Sequence, residues 1–381
     1  MRGDQRMIRK NFLQMLFVAL TLSAGVSVVW AAETGAGPKK RIFIVSSYHR
    51  EYLWSNETHQ GVCDAMRAAG YLDSAQQAEE LLQTDRTESS RAVVWKAWMN
   101  SQRRNSAIEL GQITHAIIEQ ISLFKPDIVL LGDDNAANYI GNQLLDGDIP
   151  VVFWGINGLP LKYGLVESIE RPGHNITGVY QIGYLKESLE LLKKIAPAAQ
   201  TFAVLACDSE TTRPMVKKIE ILRNKNSLPL SLSAIICTNS WEEFQQQTLL
   251  AAETVDAFLV LNYDTLRDNQ GRPVDIYTAG KWYLDHIRKP EATATRQHVR
   301  AGLLCAADDS GYRQGYEAFC MAAEILEGRR RPAEIPSICP PRGSRIVNRQ
   351  RAAALGISLA GLEPADFDEL IDEARALEKS E

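Results

Sequence analysis

Seven short apolar runs recur along the chain, each uninterrupted and most of them ending in small or polar residues. They are RIFIVSS (41–47), DIVLLGDD (127–134), PVVFWG (150–155), TFAVLAC (201–207), SLSAIIC (231–237), AFLVLNY (257–263) and AGLLCAA (301–307). A strand with one wet face alternates polar and apolar residues. A continuous run is therefore a strand covered on both faces, the mark of parallel strands flanked by helices. Helix-like stretches fill the gaps: 55–70, 88–123 with a break near Arg104, 135–146, 184–196, 211–226, 240–253, 276–288 and 311–328. A weak extra strand is expected near Ala78–Leu82. Strand and helix alternate, so the fold class is α/β.

Nine strands in one sheet are possible, but 381 residues are better divided between two smaller sheets. The segment Gly155–Val179, which contains RPGHNITG (171–178), is rich in Gly and Pro and reads as the connection between two halves. Its NIT formally matches a glycosylation acceptor.

Arg2, Arg6, Arg9 and Lys10 precede a long apolar run, and Val29 and Ala31 hold the positions of a cleavage site. Residues 1–31 are expected to be a secretory signal peptide, with an uncleaved membrane anchor as the alternative. Export places the chain in the periplasm. The charge of −5 argues against nucleic acid as a partner. Cys63, Cys207, Cys237, Cys305, Cys320 and Cys339 are scattered without a CxxC pair, so no zinc site is expected, while disulfides and buried thiols both stay open. His49, His174 and His298 stand apart, and no metal or cofactor is expected.

In a parallel sheet, ligands bind beyond the carboxyl ends of the strands. Those ends carry Ser46, Ser47, Tyr48 and His49, with Trp54 close by; Asp133, Asp134 and Asn135; Trp154 and Asn157; Asp208, Ser209 and Glu210; Asn262, Tyr263 and Asp264; and Asp308 and Asp309. Aromatic and polar tips facing each other would enclose a small polar molecule. Several have a structural alternative: the Asp and Ser residues precede helices and can cap them, and Trp154 can be core. A Ser46/His49/Asp133 grouping lacks a nucleophile elbow, so a secreted α/β enzyme is the weakest reading.

With these residues assembled, the chain resembles the ABC-transporter substrate-binding proteins of the type I periplasmic-binding-protein fold, in the subgroup with tryptophan-binding and related amino-acid-binding members. The resemblance is carried by IPVVFWGINGLPLKYGLVESIERPGHNITGVY (149–180), through Gly164, Leu165, Val166, Ser168, Arg171, Pro172, Gly173, Asn175, Thr177, Gly178 and Val179. The stretch 301–336 and IVNRQRAAALGISL (346–359) are similar to the family's late segments. SSYHREYLWSNETHQGV (46–62) instead resembles extracellular sensor domains of histidine kinases and diguanylate cyclases.

The resemblance implies two Rossmann-like lobes joined by three crossings, with 41–157 plus 304–330 in one and 158–303 plus 331–381 in the other. It implies hinge motion around a captured solute that is handed to an ABC permease; the sequence shows no dimer interface, and a monomer is expected. The alternative is a sensing module that partners a membrane kinase or cyclase. The expected contacts are Ser47, Tyr48, Trp54, Asp134, Asn135 and Trp154 from the first lobe, and Asp208, Ser209, Tyr263 and Asp309 from the second. Asp134 or Asp309 would pair with the amino group of an amino-acid ligand.

Overall fold

The computed structural model describes residues 37–372; the expected signal peptide and the last nine residues lie outside the described residues. Each of the seven apolar runs supplies a strand. The first sheet holds β1 (Lys40–Ser46), β2 (Arg86–Glu88), β3 (Ala92–Trp98), β4 (Ile128–Gly132), β5 (Val151–Asn157) and β6 (Ile176–Gln181), in the order β2-β3-β1-β4-β5-β6. Only β2 runs antiparallel to its neighbour. The second sheet holds β7 (Thr201–Ala206), β8 (Ser231–Cys237), β9 (Ala257–Asn262), β10 (Glu291–Thr293), β11 (Cys305–Ala307), β12 (Arg345–Asn348) and β13 (Glu369–Ile371). Its order is β13-β12-β11-β10-β9-β7-β8, and β12 is antiparallel to β11.

The helices are α1 (Leu53–Ala68), α2 (Ala75–Thr84), α3 (Ala107–Phe124) and α4 (133–144, π-helical at Ala136–Gly141), followed by α5 (Leu185–Ile195), α6 (Thr212–Asn224) and α7 (Trp241–Thr254). After these come α8 (Ile276–His286), α9 (Arg296–Arg300), α10 (Gly311–Leu326) and α11 (Arg349–Ala354). Successive side chains of a strand point to opposite faces. Ile42 and Ile44 of β1 accordingly join Met66 and Phe319 in one core, while Phe43 and Val45 join Ile117 and Phe124 in another. The second sheet is covered in the same way by two further cores.

Two local expectations change. The stretch 88–123 does not begin as a helix: Ala92–Trp98 is a strand paired with β1, and the charges of Arg86 and Glu88 sit on the exposed edge strand β2. Charge on an edge strand keeps it from pairing with another chain. Ala78–Leu82 lies inside α2, which opens on a capping box of Ser74 and Gln77.

The lobe boundaries also move. The Gly- and Pro-rich connection does not cross to the second lobe: Asn175 donates to Leu144 O and Ile149 O, and the chain re-enters the first sheet as β6 beside β5. The first crossing is therefore at 182–184 rather than at 157. Residues 305–307 stay with the second sheet, so the return to α10 is at 308–310, and the third crossing lies at 339–344. Within the first lobe, α1 and α10 touch backbone to backbone. A Cβ on Gly61 would lie 2.0 Å from Tyr312 O, and one on Gly315 would lie 2.2 Å from Thr58 O. This contact fixes the helix whose first turn faces the second lobe.

Asp309 ties two crossings together, its Oδ2 accepting from Gly183 N at 2.8 Å. Burial, and then the neighbouring Asp308, push its carboxyl up to about 7. An unfolded chain would release that proton near pH ~3.9. Between these values the folded protein holds a proton that the unfolded chain has lost, so this group's contribution to stability falls as pH rises from about 4 to 7. Asp309→Asn is expected to flatten that part of the profile, read from urea midpoints at pH 5 and pH 8. Parallel profiles for the two proteins would refute the assignment.

Candidate functional site

The carboxyl ends of the two sheets face each other and the lobes are closed upon one another. Tyr48 OH lies 2.9 Å from Thr211 Oγ1. Gln102 Nε2 donates to Asp264 Oδ2 at 2.6 Å, and Tyr52 OH reaches the same oxygen at 3.4 Å. Gln297 Nε2 donates to Glu57 Oε2 at 3.1 Å, and Arg267 Nε donates to Asn105 Oδ1 at 3.2 Å. Every one of these bonds joins a residue of the first lobe to one of the second.

Three rings dominate the first lobe's side of the cleft: Tyr48 and Tyr52 from the β1–α1 connection and Trp54 from the first turn of α1. Tyr48 and Tyr52 pack edge to face at 5.0 Å. Trp54 Nε1 donates to Asp133 Oδ1 at 2.7 Å. Asp133 has φ +68, a left-handed backbone that costs a non-glycine residue about 1–3 kcal/mol. Its buried carboxyl is held well above the usual carboxylate range, first by burial. The π-helical turn that follows it is a distortion common at functional sites. From the second lobe come Thr211 at the start of α6, Asn262 and Asp264 at the end of β9, and Gln297 and His298 on α9. Burial holds the His298 imidazole down at about 4, so it is neutral at ordinary pH.

Of the residues expected from the sequence, Tyr48 and Trp54 line the cleft, and Tyr263 lines a chamber beside it. The others are occupied elsewhere. Ser47 Oγ donates to Gly132 O at 2.6 Å and accepts from Ala136 N at 2.8 Å, which fastens β1 to the β4–α4 turn. Asp134 is fully buried among internal donors: Asn157 Nδ2 at 2.8 Å, Lys162 Nζ at 2.8 Å and Tyr163 OH at 2.9 Å. That carboxylate already has its cation, so the expected pairing with a ligand amine has no free oxygen there. Asn135 donates to Ser101. Trp154 is core, and a Cβ on Gly132 would lie 2.3 Å from its ring. Asp208 is exposed and paired with Arg213, and Ser209 is bonded to Thr212 at the start of α6. Asp309 braces the hinge, as described above.

Tyr52, Gln102, Thr211, Gln297 and His298 were not among the expected contacts. Gln102 follows β3 and Gln297 follows β10, strands that the pattern of apolar runs does not reveal. Among the described residues, no group of three or more His, Cys, Asp or Glu is placed to hold a metal, the six cysteines are free thiols, and no helix is long and apolar enough to cross a membrane.

A family model described as ABC transporter substrate binding protein matches residues 96–361. A tyrosine-binding protein of Clostridioides difficile (strain R20291) is 25% identical over 209 residues, which make up 55% of this chain and 57% of that relative's own length. The chain thus aligns with little more than half of this relative. The crystal structure of an ABC domain in complex with L-Trp from Streptococcus pneumonia superposes with a TM-score of 0.67 at 19% identity, covering 87% of this chain and all of that one (100%). The ligand-free, open structure of a substrate binding protein with adhesive properties from Clostridium difficile gives a TM-score of 0.61 at 20% identity, over 87% of this chain and 99% of that chain. Both structures share the two-lobed fold described here.

Proposed function

We propose, for a chain that belongs to the ABC transporter substrate binding protein family, that it captures an aromatic amino acid or a close analogue between its lobes, outside the cytoplasm, and hands it to an ABC importer. The observation that carries this reading is the arrangement of Tyr48, Tyr52 and Trp54 opposite Thr211, Asn262 and Asp264, with hydrogen bonds running directly from lobe to lobe. Aromatic rings attract both a second ring and an ammonium group. No charged side chain lines the narrow part of the cleft: Asp133 is bonded to Trp54 Nε1, and Asp264 accepts from Gln102 and Tyr52. The tyrosine-binding relative and the L-Trp complex support the same class of solute.

The protein works by binding alone. Solute adds contacts that only the closed arrangement makes, and so shifts the population toward it. The closed shape is what the membrane partner reads. Calorimetric titration with L-tyrosine, L-tryptophan and L-phenylalanine is expected to show saturable binding of one solute per chain, with L-lysine and a hexose silent. No heat with any of the three aromatic amino acids would overturn the assignment.

A further inference from the structure

The space between the strand tips is narrow in the closed form. It measures about 40 Å³, far below the roughly 300–1,000 Å³ of pockets that enclose small organic ligands. The larger volume lies to one side. A chamber of about 350 Å³ opens between Tyr52 and Leu53, at the start of α1, and the α8–α9 region of the second lobe. That size falls within the roughly 300–1,000 Å³ of pockets that enclose small organic ligands. The two spaces share Tyr52, Gln297 and His298 as walls, so they lie side by side.

The chamber's chemistry is that of a slot for an uncharged ring. Ile276, Leu284, Tyr277 and Tyr263 contribute apolar surface and ring faces. Tyr263 meets His298 edge to face at 5.4 Å, and the groups around the chamber's body, the phenols of Tyr52, Tyr263 and Tyr277, the Gln297 amide and the neutral His298 imidazole, are polar but uncharged. The charges at its rim neutralise one another, with Lys281 Nζ 2.7 Å from Asp285 Oδ2. Gly280 is part of the design. A glycine inside a helix costs about 1 kcal/mol relative to alanine. Here it clears the Tyr263 hydroxyl, which a Cβ would meet at 2.8 Å.

Building on the solute-binding reading above, we propose that this lateral chamber seats the solute's side chain. It selects an uncharged aromatic ring bearing at most a hydroxyl or a ring N–H, while the narrow cleft holds the polar end. The ring size of the preferred solute is thus set by α8 and α9 rather than by the strand tips.

Two variants and a ligand ladder test this. Ala301→Phe places a ring in the chamber from the end of α9, and Tyr277→Ala removes one of its walls. Each is first checked by circular dichroism and melting. Wild type is expected to bind L-tyrosine or L-tryptophan and, more weakly, p-cresol or indole in competition with them. In Ala301→Phe the affinity for the aromatic amino acid should fall roughly tenfold to a hundredfold, the scale on which a filled or emptied apolar pocket discriminates. In Tyr277→Ala the loss should be smaller but in the same direction. A folded Ala301→Phe or Tyr277→Ala protein that binds these solutes as wild type does would overturn the chamber assignment. So would wild type that binds only non-aromatic solutes, an outcome that leaves solute capture standing. Wild type that binds neither amino acids nor free rings would overturn both.

Discussion

An Asp264→Ala protein will bind its solute roughly tenfold to a hundredfold more weakly than wild type while staying folded. Asp264 is the acceptor on which the first lobe converges, through Gln102 Nε2 at 2.6 Å and Tyr52 OH at 3.4 Å. A hydrogen bond to a charged group contributes about 1.5–3 kcal/mol. Neither bond lies in a hydrophobic core; both exist only when the lobes are closed. Their loss therefore falls on the equilibrium between open and closed forms rather than on folding. Affinity measured for a closed-state ligand is reduced by the fraction of molecules able to close. Small-angle scattering of the solute-free variant should show a larger radius of gyration than wild type. Asp264→Asn, which keeps an acceptor but loses the charge, should fall between the two. Unchanged scattering together with unchanged affinity would remove Asp264 from the closure mechanism.

The contrast between Asp264 and Asp134 marks how far the sequence can be read. Both lie at the carboxyl end of a strand, where the topology of parallel sheets places ligands, and on that ground either can face a solute. What separates them is the cation at Lys162, twenty-eight residues beyond Asp134, which a 3-10 turn brings back onto its carboxylate. No local pattern encodes that return. Tyr48 and Trp54 were legible because they follow directly on the carboxyl end of β1, where the topology of a parallel sheet places ligands. Tyr52 has the same warrant, and only its reach to Asp264 singles it out. Six of the seven runs were legible because each is covered on both faces; β8, at the edge of its sheet, keeps the pattern although several of its positions are exposed. β3 was not legible, because Lys96 interrupts its apolar run and charged residues flank it, and β6 was not placed because the Gly- and Pro-rich approach to it has the composition of a linker. Gln102, Gln297 and His298 sit beyond short or mixed strands, so the strand-end rule could not reach them until the strands themselves were known.

The same logic of a distant partner governs stability in the second lobe. Glu291 opens β10 with a fully buried carboxylate, and Arg351 of α11 meets it with both ends of its guanidinium, Nε at 2.9 Å and NH2 at 3.0 Å. Leu304 N adds a third donor at 3.0 Å, and Arg351 also donates to Ile287 O at 2.9 Å. Burial still pushes the Glu291 carboxyl above its ordinary range, against the pull of Arg351. Arg351→Met would strand that carboxylate in an apolar core. Breaking a buried pair from one side costs about 3–5 kcal/mol, whereas replacing both partners with apolar groups is often neutral. Urea unfolding of Arg351→Met at pH 8 should therefore show a loss of that size, and the double variant Arg351→Met with Glu291→Leu should recover most of it. The sign of the pH effect follows from the raised carboxyl: the folded single variant takes up a proton that the unfolded chain holds only below about pH 4.3. Its deficit should shrink at pH 5 and be largest at pH 8. A single variant that loses less than about 1 kcal/mol at pH 8, or a double variant no better than the single, would show that the pair is not what anchors the closing segment to the second sheet.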